Sequence, residues 1–150
     1  MYRRLLVPVD GSAPSDEALA RALEIAGASG GQVLLVHALD SLVPGPHHAA
    51  GGALRRVRFE EGERVLQRAL AIADDSEISA RTRLLDQPRR RLGEIVAEVA
   101  QSWPADLIVV GSHGRHGVAR ALLGSGAEQV LRLAPVPVLV VRSAAAAMAA

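Results

Sequence analysis

The segment that decides the fold is residues 107–128, LIVVGSHGRHGVARALLGSGAE. It begins with an apolar run, continues through a glycine-rich connection and ends where a helical pattern starts. A continuous run of Leu, Ile and Val without polar alternation is typical of a strand buried on both faces, as in parallel sheets covered by helices. The segment therefore predicts a parallel sheet whose strands are joined through helices.

The same unit repeats along the chain. Buried strands are predicted over Arg4–Asp10, Gln32–Asp40, Glu77–Asp86, Ala105–Gly111 and Val136–Val141. Apolar residues at helical spacing predict helices over Ser15–Ser29, Ala53–Ala73, Pro88–Ser102 and Gly126–Leu133. Alternating strands and helices give right-handed crossovers, and thus one doubly wound α/β domain with helices on both faces of the sheet. We assign residues 1–143 to this domain, residues 144–150 to an alanine-rich tail, and Ser41–Gly52 to a long Pro/Gly-rich loop.

Composition excludes several classes of function. Lys and Arg total 17 against 16 acids, a net charge of +1, so no basic footprint for nucleic acid is present. Aromatic residues are 2% of the chain, too few for a base-stacking platform. The chain has no cysteine, which excludes disulfides, thiol catalysis and Cys-based zinc sites. No apolar run is long enough to span a bilayer, so a cytoplasmic protein without membrane or nucleic-acid partners is predicted.

The glycines that follow the fourth predicted strand indicate an anion site. In a doubly wound sheet, ligands bind outside the carboxyl ends of the strands, where the strand order reverses. Gly111 and Gly114 bracket Ser112 and His113 in a turn for which we predict positive φ, and such a turn can direct N–H groups into one concavity. Arg115, with His116, would add charge at the rim of this site. The alternative is that the glycines only form turns.

A second anion-binding element is predicted at the start of the last helix. Gly124 precedes Ser125-Gly126-Ala127-Glu128, which fits a capping box with Ser125 as the N-cap. The helix N-terminus presents free N–H groups and the positive end of the helix dipole. Gly126 has no side chain, so a ligand can approach the backbone closely. Two such elements suit a polyphosphate.

The first predicted strand ends in "VPVDGS", which supplies Asp10 and Ser12. A carboxylate at this position can accept hydrogen bonds from a ribose or coordinate a phosphate-bound Mg²⁺. It can also close the strand in an Asx turn, and the two interpretations are compatible.

Other chemistry is weakly supported. Five histidines include His37, which we interpret as a core or strand-end residue, and His47-His48 in the predicted loop, but no spacing suggests a protein-only metal site. Ser112 beside His113 lacks a Gly-x-Ser-x-Gly elbow, and adjacent residues on a turn are not expected to face each other. There is no P-loop lysine and no visible catalytic base. Slow hydrolysis of a bound polyphosphate is compatible with the sequence, but a dedicated enzyme is not predicted.

Taken together, these residues resemble the universal stress protein family. Its nucleotide-binding members carry Gly, two residues, Gly, nine residues, Gly, then Ser or Thr, a pattern that Gly111, Gly114, Gly124 and Ser125 fit without a gap. "RLLVPVDGS" and "VLLVHALD" resemble the first two strands of the family, and the segment from residue 106 to 142 resembles its closing third. The resemblance covers nearly the whole chain except the 41–52 loop and the tail.

The resemblance implies a sheet of order 3-2-1-4-5, ATP with Mg²⁺ in the cleft between the first and fourth strands, and a homodimer joined through Val136–Val141. Asp10 would reach Mg²⁺ through the nucleotide. By position, the residues implied at the nucleotide are Pro8, Val9, Asp10, Ser12, Ala38, Gly111, Ser112, His113, Gly114, Arg115, Gly124, Ser125 and Gly126. Of these, Pro8, Asp10 and Ala38 would line the adenosine side, and the three spaced glycines with Ser125 and Gly126 would hold ribose and phosphates.

The chain departs from the family at two positions. The family commonly has Val at Ala38 and an aliphatic residue at Gly126, so a looser grip on the nucleotide is expected, although no phosphate donor is lost. The predicted function is a nucleotide-dependent regulatory or stress-response module. The alternatives are a weak ATPase or nucleotidyl-transfer enzyme of related architecture, and a nucleotide-free dimeric scaffold.

Overall fold

The computed structural model describes residues 1–39, 48–114 and 122–143, with the backbone alone for 48–51. Nine elements follow one another in the described residues: β1 (Arg4–Pro8), α1 (Ala13–Ser29), β2 (Gln32–Ala38), α2 (His48–Asp75), β3 (Ala80–Leu85), α3 (Leu92–Ser102), β4 (Leu107–Gly111), α4 (Ser125–Leu133) and β5 (Val138–Val141). All strand pairs are parallel, and the order is β3-β2-β1-β4-β5. The predicted doubly wound sheet is therefore confirmed.

The sheet separates two apolar layers because strand side chains alternate between its faces. On one face Leu5, Val7, Leu35 and Val109 are buried together with residues of α1 and α2. On the other face Leu6, Leu34, Val36 and Ile108 are buried with residues of α3 and α4. Burial on both faces explains why the central strands contain unbroken aliphatic runs.

Three boundaries differ from the sequence prediction. Helix α2 begins at His48, inside the predicted 41–52 loop, because the tandem glycines at 51 and 52 continue the helix instead of preceding it. Helix α3 begins at Leu92 and not at Pro88, because Arg89 has φ 73° and the Glu94 carboxylate accepts the Arg91 N–H (2.8 Å) where the helix starts. Residues 40–47, which include the rest of the predicted loop and His47, lie outside the described residues.

Strand β5 is also shorter than predicted. It spans Val138–Val141, while Val136 and Pro137 precede it. Pro137 has no N–H to donate to a ladder, but its carbonyl accepts the Ile108 N–H (3.0 Å) at the point where pairing with β4 begins. The remaining strands are each shorter than their predictions by residues that lead into turns.

Candidate functional site

The ladder between β1 and β4 stops before the carboxyl ends of the two strands, where the strand order reverses, and we call the space between these unpaired ends the cleft. The β1–β2 ladder has five residue pairs, but the β1–β4 ladder has only two, Leu5↔Leu107 and Leu6↔Ile108. Beyond these pairs the two strands are joined through their end turns and through the start of α1. This is the location at which doubly wound sheets bind ligands.

Asp10 closes β1 in an Asx turn. Its Oδ1 accepts hydrogen bonds from the Ser12 N–H (2.9 Å) and the Ser12 hydroxyl (2.5 Å). The Asp10 N–H donates to Ser15 Oγ (3.1 Å), and Gly11 takes φ 78°, a conformation that favours glycine. The carboxylate is thus held at the start of α1, and the predicted Asx turn is confirmed.

The glycines after β4 permit close approach and do not supply positive φ. A Cβ at Gly111 would lie 2.7 Å from the Pro14 carbonyl of α1, and a Cβ at Gly114 would lie 2.7 Å from Asp10 Oδ2. Neither glycine has φ in the left-handed region, so the prediction of positive φ in this turn is wrong. Glycine is needed because β4 packs against the start of α1 and its end turn lies against Asp10.

The start of α4 lies against the same turn. The Gly124 N–H donates to the Ser112 carbonyl (2.7 Å), and a Cβ at Gly124 would be 3.0 Å from that oxygen. Gly124, not Ser125, is the N-cap, and it provides no side-chain cap, so the predicted capping box is wrong. Ser125 is instead the exposed first residue of the helix.

Several N–H groups at this junction have no acceptor among residues 1–39, 48–114 and 122–143. They belong to His113 and Gly114 in the turn, and to Ser125 and Gly126 in α4. In contrast, the Ser112 N–H donates to the Val141 carbonyl (2.8 Å) and is occupied by strand pairing. The junction therefore offers N–H donors and a helix dipole to an anion.

Ser112 and His113 do face each other, contrary to expectation. Ser112 Oγ lies 3.0 Å from His113 Nδ1, and the serine is 3% exposed. His113 Nε2 is buried and has no hydrogen-bond partner in the described part of the chain. A buried polar atom without a partner is unfavourable, and a ligand atom or an ordered water would relieve it.

The other predicted site residues are placed as follows. Pro8 and Val9 are buried; the Val9 N–H donates to the Val36 carbonyl (2.8 Å), and its own carbonyl is 2.7 Å from His37 Nδ1. Val9 thus has no free polar group, and His37 is the satisfied strand-end histidine that we predicted.

Ala38 is the last residue of β2 and is half-buried. A Cβ at Gly126 would meet Leu92 of α3 at 3.0 Å, so the space beside this glycine faces a flexible side chain. Arg115 lies outside the described residues.

Sequence reasoning missed Ser15, which is 4% exposed and accepts the Asp10 N–H. Its position three residues after the N-cap Ser12 was the available signal.

In the described residues, no group of three or more His, Cys, Asp or Glu side chains could hold a metal. The described helices also include none whose length and hydropathy would allow it to cross a membrane.

These features define the class of protein: a doubly wound α/β domain in which the turn after β4 and the start of α4 meet at the topological switch point. Residues 1–142 match the model of the universal stress protein family. A universal stress protein of Methanocaldococcus jannaschii is 34% identical over 144 residues, which cover 95% of this chain and 83% of the relative. One from Thermus aquaticus is 36% identical over 146 residues, covering 95% and 100%. The chain belongs to the universal stress protein family.

Solved structures agree with this assignment. A universal stress protein from Archaeoglobus fulgidus, solved in complex with dAMP, has a TM-score of 0.71 and 26% identity, covering 93% of this chain and 98% of the other. A universal stress protein solved in complex with cAMP has a TM-score of 0.66 and 26% identity, covering 95% and 98%.

Proposed function

We propose that this protein binds an adenine nucleotide in the cleft between β1 and β4 and acts as a nucleotide-dependent regulatory module. The observation that carries the proposal is the 2.7 Å hydrogen bond from the Gly124 N–H to the Ser112 carbonyl, which joins the start of α4 to the turn after β4. Two groups of N–H donors then lie at one place, and a phosphate chain complements both. His113 Nε2 adds a buried polar atom that a ligand would satisfy.

The nature of the nucleotide follows from relatives and from the chemistry of Asp10. The structures with dAMP and cAMP support an adenine base. We propose ATP with Mg²⁺ as the ligand of this chain. The described residues offer no protein-only cluster of metal ligands, so Asp10 would reach Mg²⁺ only as one ligand beside phosphate oxygens.

The roles that we propose for the residues are those that the resemblance to the family implies. Pro8, Asp10 and Ala38 would lie on the adenosine side. The backbone N–H groups of Gly114 and Gly126, with the exposed Ser125 hydroxyl, would hold the phosphates. Gly111 and Gly124 would act by allowing the backbone to pack, since a Cβ at either would meet backbone atoms within 3.0 Å.

The test is a titration of nucleotide-stripped protein with ATP, ADP, AMP and cAMP, with and without Mg²⁺. Any small molecule released on denaturation is identified first by mass spectrometry. Gly114→Val should weaken ATP binding by about a hundredfold or more. The valine side chain would collide with Asp10 and displace the turn, so one or two charge-assisted hydrogen bonds from the turn to the phosphates would be lost. Gly52→Val is the matched control, because nothing lies within 4 Å of a Cβ added at Gly52.

The alternatives give different results. No co-purified nucleotide and no binding at millimolar ATP would leave a nucleotide-free scaffold. Single-turnover hydrolysis that is measurable and lost in Asp10→Ala would favour a weak ATPase. We expect negligible turnover, because the sequence has no P-loop lysine and shows no dedicated catalytic base.

We further propose a homodimer formed through the β5 edge. β5 ends the sheet on one side, and Leu139 in it is 37% exposed. Leu131 and Leu133 of the adjacent α4 are each 45% exposed. An apolar edge strand beside exposed leucines suits pairing with a second copy.

A further inference from the structure

The opposite edge of the sheet has a different chemistry. Among the described residues, β3 pairs with β2 on one side and with no strand on the other, and Arg81, Thr82 and Arg83 in it are all exposed. A free edge strand presents unpaired backbone groups that can accept another strand. The geometry of β3 shows which groups those are.

Hydrogen bonds to β2 define the inner side of β3. The carbonyls of Ser79 and Leu85 accept the N–H groups of Val33 and Leu39, each at 2.9 Å. The β2–β3 register continues between these bonds without interruption. Strand residues direct their N–H and C=O groups alternately to the two sides, so odd-numbered residues face β2. The residues that face outward are Ala80, Thr82 and Leu84.

Two arginines flank these outward groups. Side chains alternate along the strand, so Arg81 and Arg83 lie on the same face as Leu85, which packs in the α3 and α4 layer. Within the described ranges, neither arginine has a carboxylate at ion-pair distance, and the neighbouring Asp86 is paired with Arg55. With respect to the part of the chain that the structure describes, β3 therefore combines three free backbone positions with two unpaired guanidinium groups two residues apart.

We propose that the β3 edge binds an extended acidic segment of a partner protein, which adds to the sheet as a sixth strand. Acidic residues at alternate positions of that segment would pair with Arg81 and Arg83, because a strand repeats its side-chain direction every second residue. A second copy of this chain does not fit, since its own β3 would place arginines against arginines. The β3 edge thus differs from the apolar β5 edge. Binding of an acidic segment at β3 does not depend on nucleotide binding.

Synthetic peptides test the proposal on the full chain. One blocked peptide has Glu at alternate positions with Thr and Val between them, and its partner has Gln in place of each Glu. The Glu peptide should bind, and the Gln peptide should bind about tenfold more weakly, because two exposed ion pairs are lost. Binding of the Glu peptide should weaken with added salt.

Amide hydrogen exchange reports the mode of binding. In the free protein the amides of Arg81 and Arg83 should be protected and that of Thr82 should exchange freely, because only the odd-numbered residues bond to β2. The bound Glu peptide should protect Thr82. Two further Glu peptides are N-methylated at every second amide, one on each of the two alternating sets of amides. Only one of these two peptides should lose binding, because alternate amides of an added strand face β3. This test leaves the protein unchanged.

Variants complete the experiment. The double variant Arg81→Glu with Arg83→Glu should lose the acidic peptide and retain nucleotide affinity, while Arg21→Glu with Arg64→Glu makes the same charge change on α1 and α2 as a control. Thr82→Pro should also abolish binding, because proline removes an outward N–H and leaves the β2 ladder intact. The proposal is overturned if the Glu and Gln peptides bind equally, if neither binds at millimolar concentration, or if Thr82 stays unprotected in the complex. In those cases the role of the two arginines is to prevent β3 from pairing with the edge strands of other molecules.

Discussion

At the scale of single residues, similar sequence signals have different roles at the two helix starts near the cleft. Ser12 is the N-cap of α1: its hydroxyl oxygen accepts the Ser15 N–H (3.4 Å) and its O–H donates to Asp10. Ser125 has the same sequence context before α4, yet Gly124 occupies the N-cap there. Ser12 therefore stabilises the start of its helix, while Ser125 is exposed and does not cap its helix.

This difference predicts opposite results for two alanine variants. Ser12→Ala should lower the free energy of unfolding by about 1 kcal/mol, because a capping hydroxyl is lost. Ser125→Ala should change it by less than about 0.5 kcal/mol but should weaken ATP binding. Urea unfolding and calorimetric titration measure the two quantities. A loss of stability in Ser125→Ala as large as that in Ser12→Ala would show that Ser125 caps the helix after all.

At the scale of elements, α1 and α2 end in the same type of Schellman motif with different residues. The Gly31 N–H donates to the Ala26 carbonyl (2.8 Å), and Gly30 has φ 62°. In α2 the Ile78 N–H donates to the Ala73 carbonyl (3.2 Å), and the left-handed residue is Glu77, with φ 57°. Glutamate is disfavoured in this conformation because its Cβ crowds the following carbonyl.

Glu77→Gly should therefore stabilise the protein by about 1 kcal/mol, after the greater freedom of glycine in the unfolded chain is included. Gly30→Ala, the converse change at the end of α1, should destabilise it by about 1 kcal/mol. Thermal and urea unfolding of both variants give the comparison. If Glu77→Gly lowers the midpoint, the glutamate side chain must make a stabilising interaction that outweighs the backbone strain.

At the scale of the whole molecule, the two edges of one sheet are chemically distinct. The β5 edge is apolar and lies beside the exposed leucines of α4, whereas the β3 edge carries two exposed arginines. If a second copy pairs along β5, the site for an acidic segment at β3 stays accessible on both copies. Self-association and partner binding would then use separate surfaces.

The dimer proposal predicts that Leu139→Arg yields a monomer, because it places a charge in the apolar edge. Light scattering coupled to size exclusion measures the mass of each variant. Leu54→Arg is the matched control, since Leu54 is 45% exposed on α2 and lies on no proposed dimer surface. A wild-type protein that is monomeric at tens of micromolar, or a dimer that survives Leu139→Arg, would contradict the β5 interface.

The order of the elements was predictable because it depends on local periodicity. The buried runs around Val7, Leu35 and Val109 are typical of strands covered on both faces. The boundaries were less predictable, as α2 and α3 show, because a glycine pair and a left-handed arginine do not reveal by residue type alone whether a helix continues. His37 was correctly interpreted, since a histidine within an apolar run needs a nearby acceptor, and Val9 provides it.

The sequence by itself determined the fold class, the family and the location of the candidate site at the carboxyl ends of the first and fourth strands. Hydrophobic periodicity and glycine spacing are local properties of the chain, so they can be read from the sequence. Only the tertiary structure decided why the glycines are needed: Gly111 approaches Pro14, and Gly114 approaches Asp10. It also decided that Gly124, the N-cap of α4, donates its N–H to the Ser112 carbonyl. These are contacts between residues far apart in the chain, and they exist only once the sheet has brought its strand ends together.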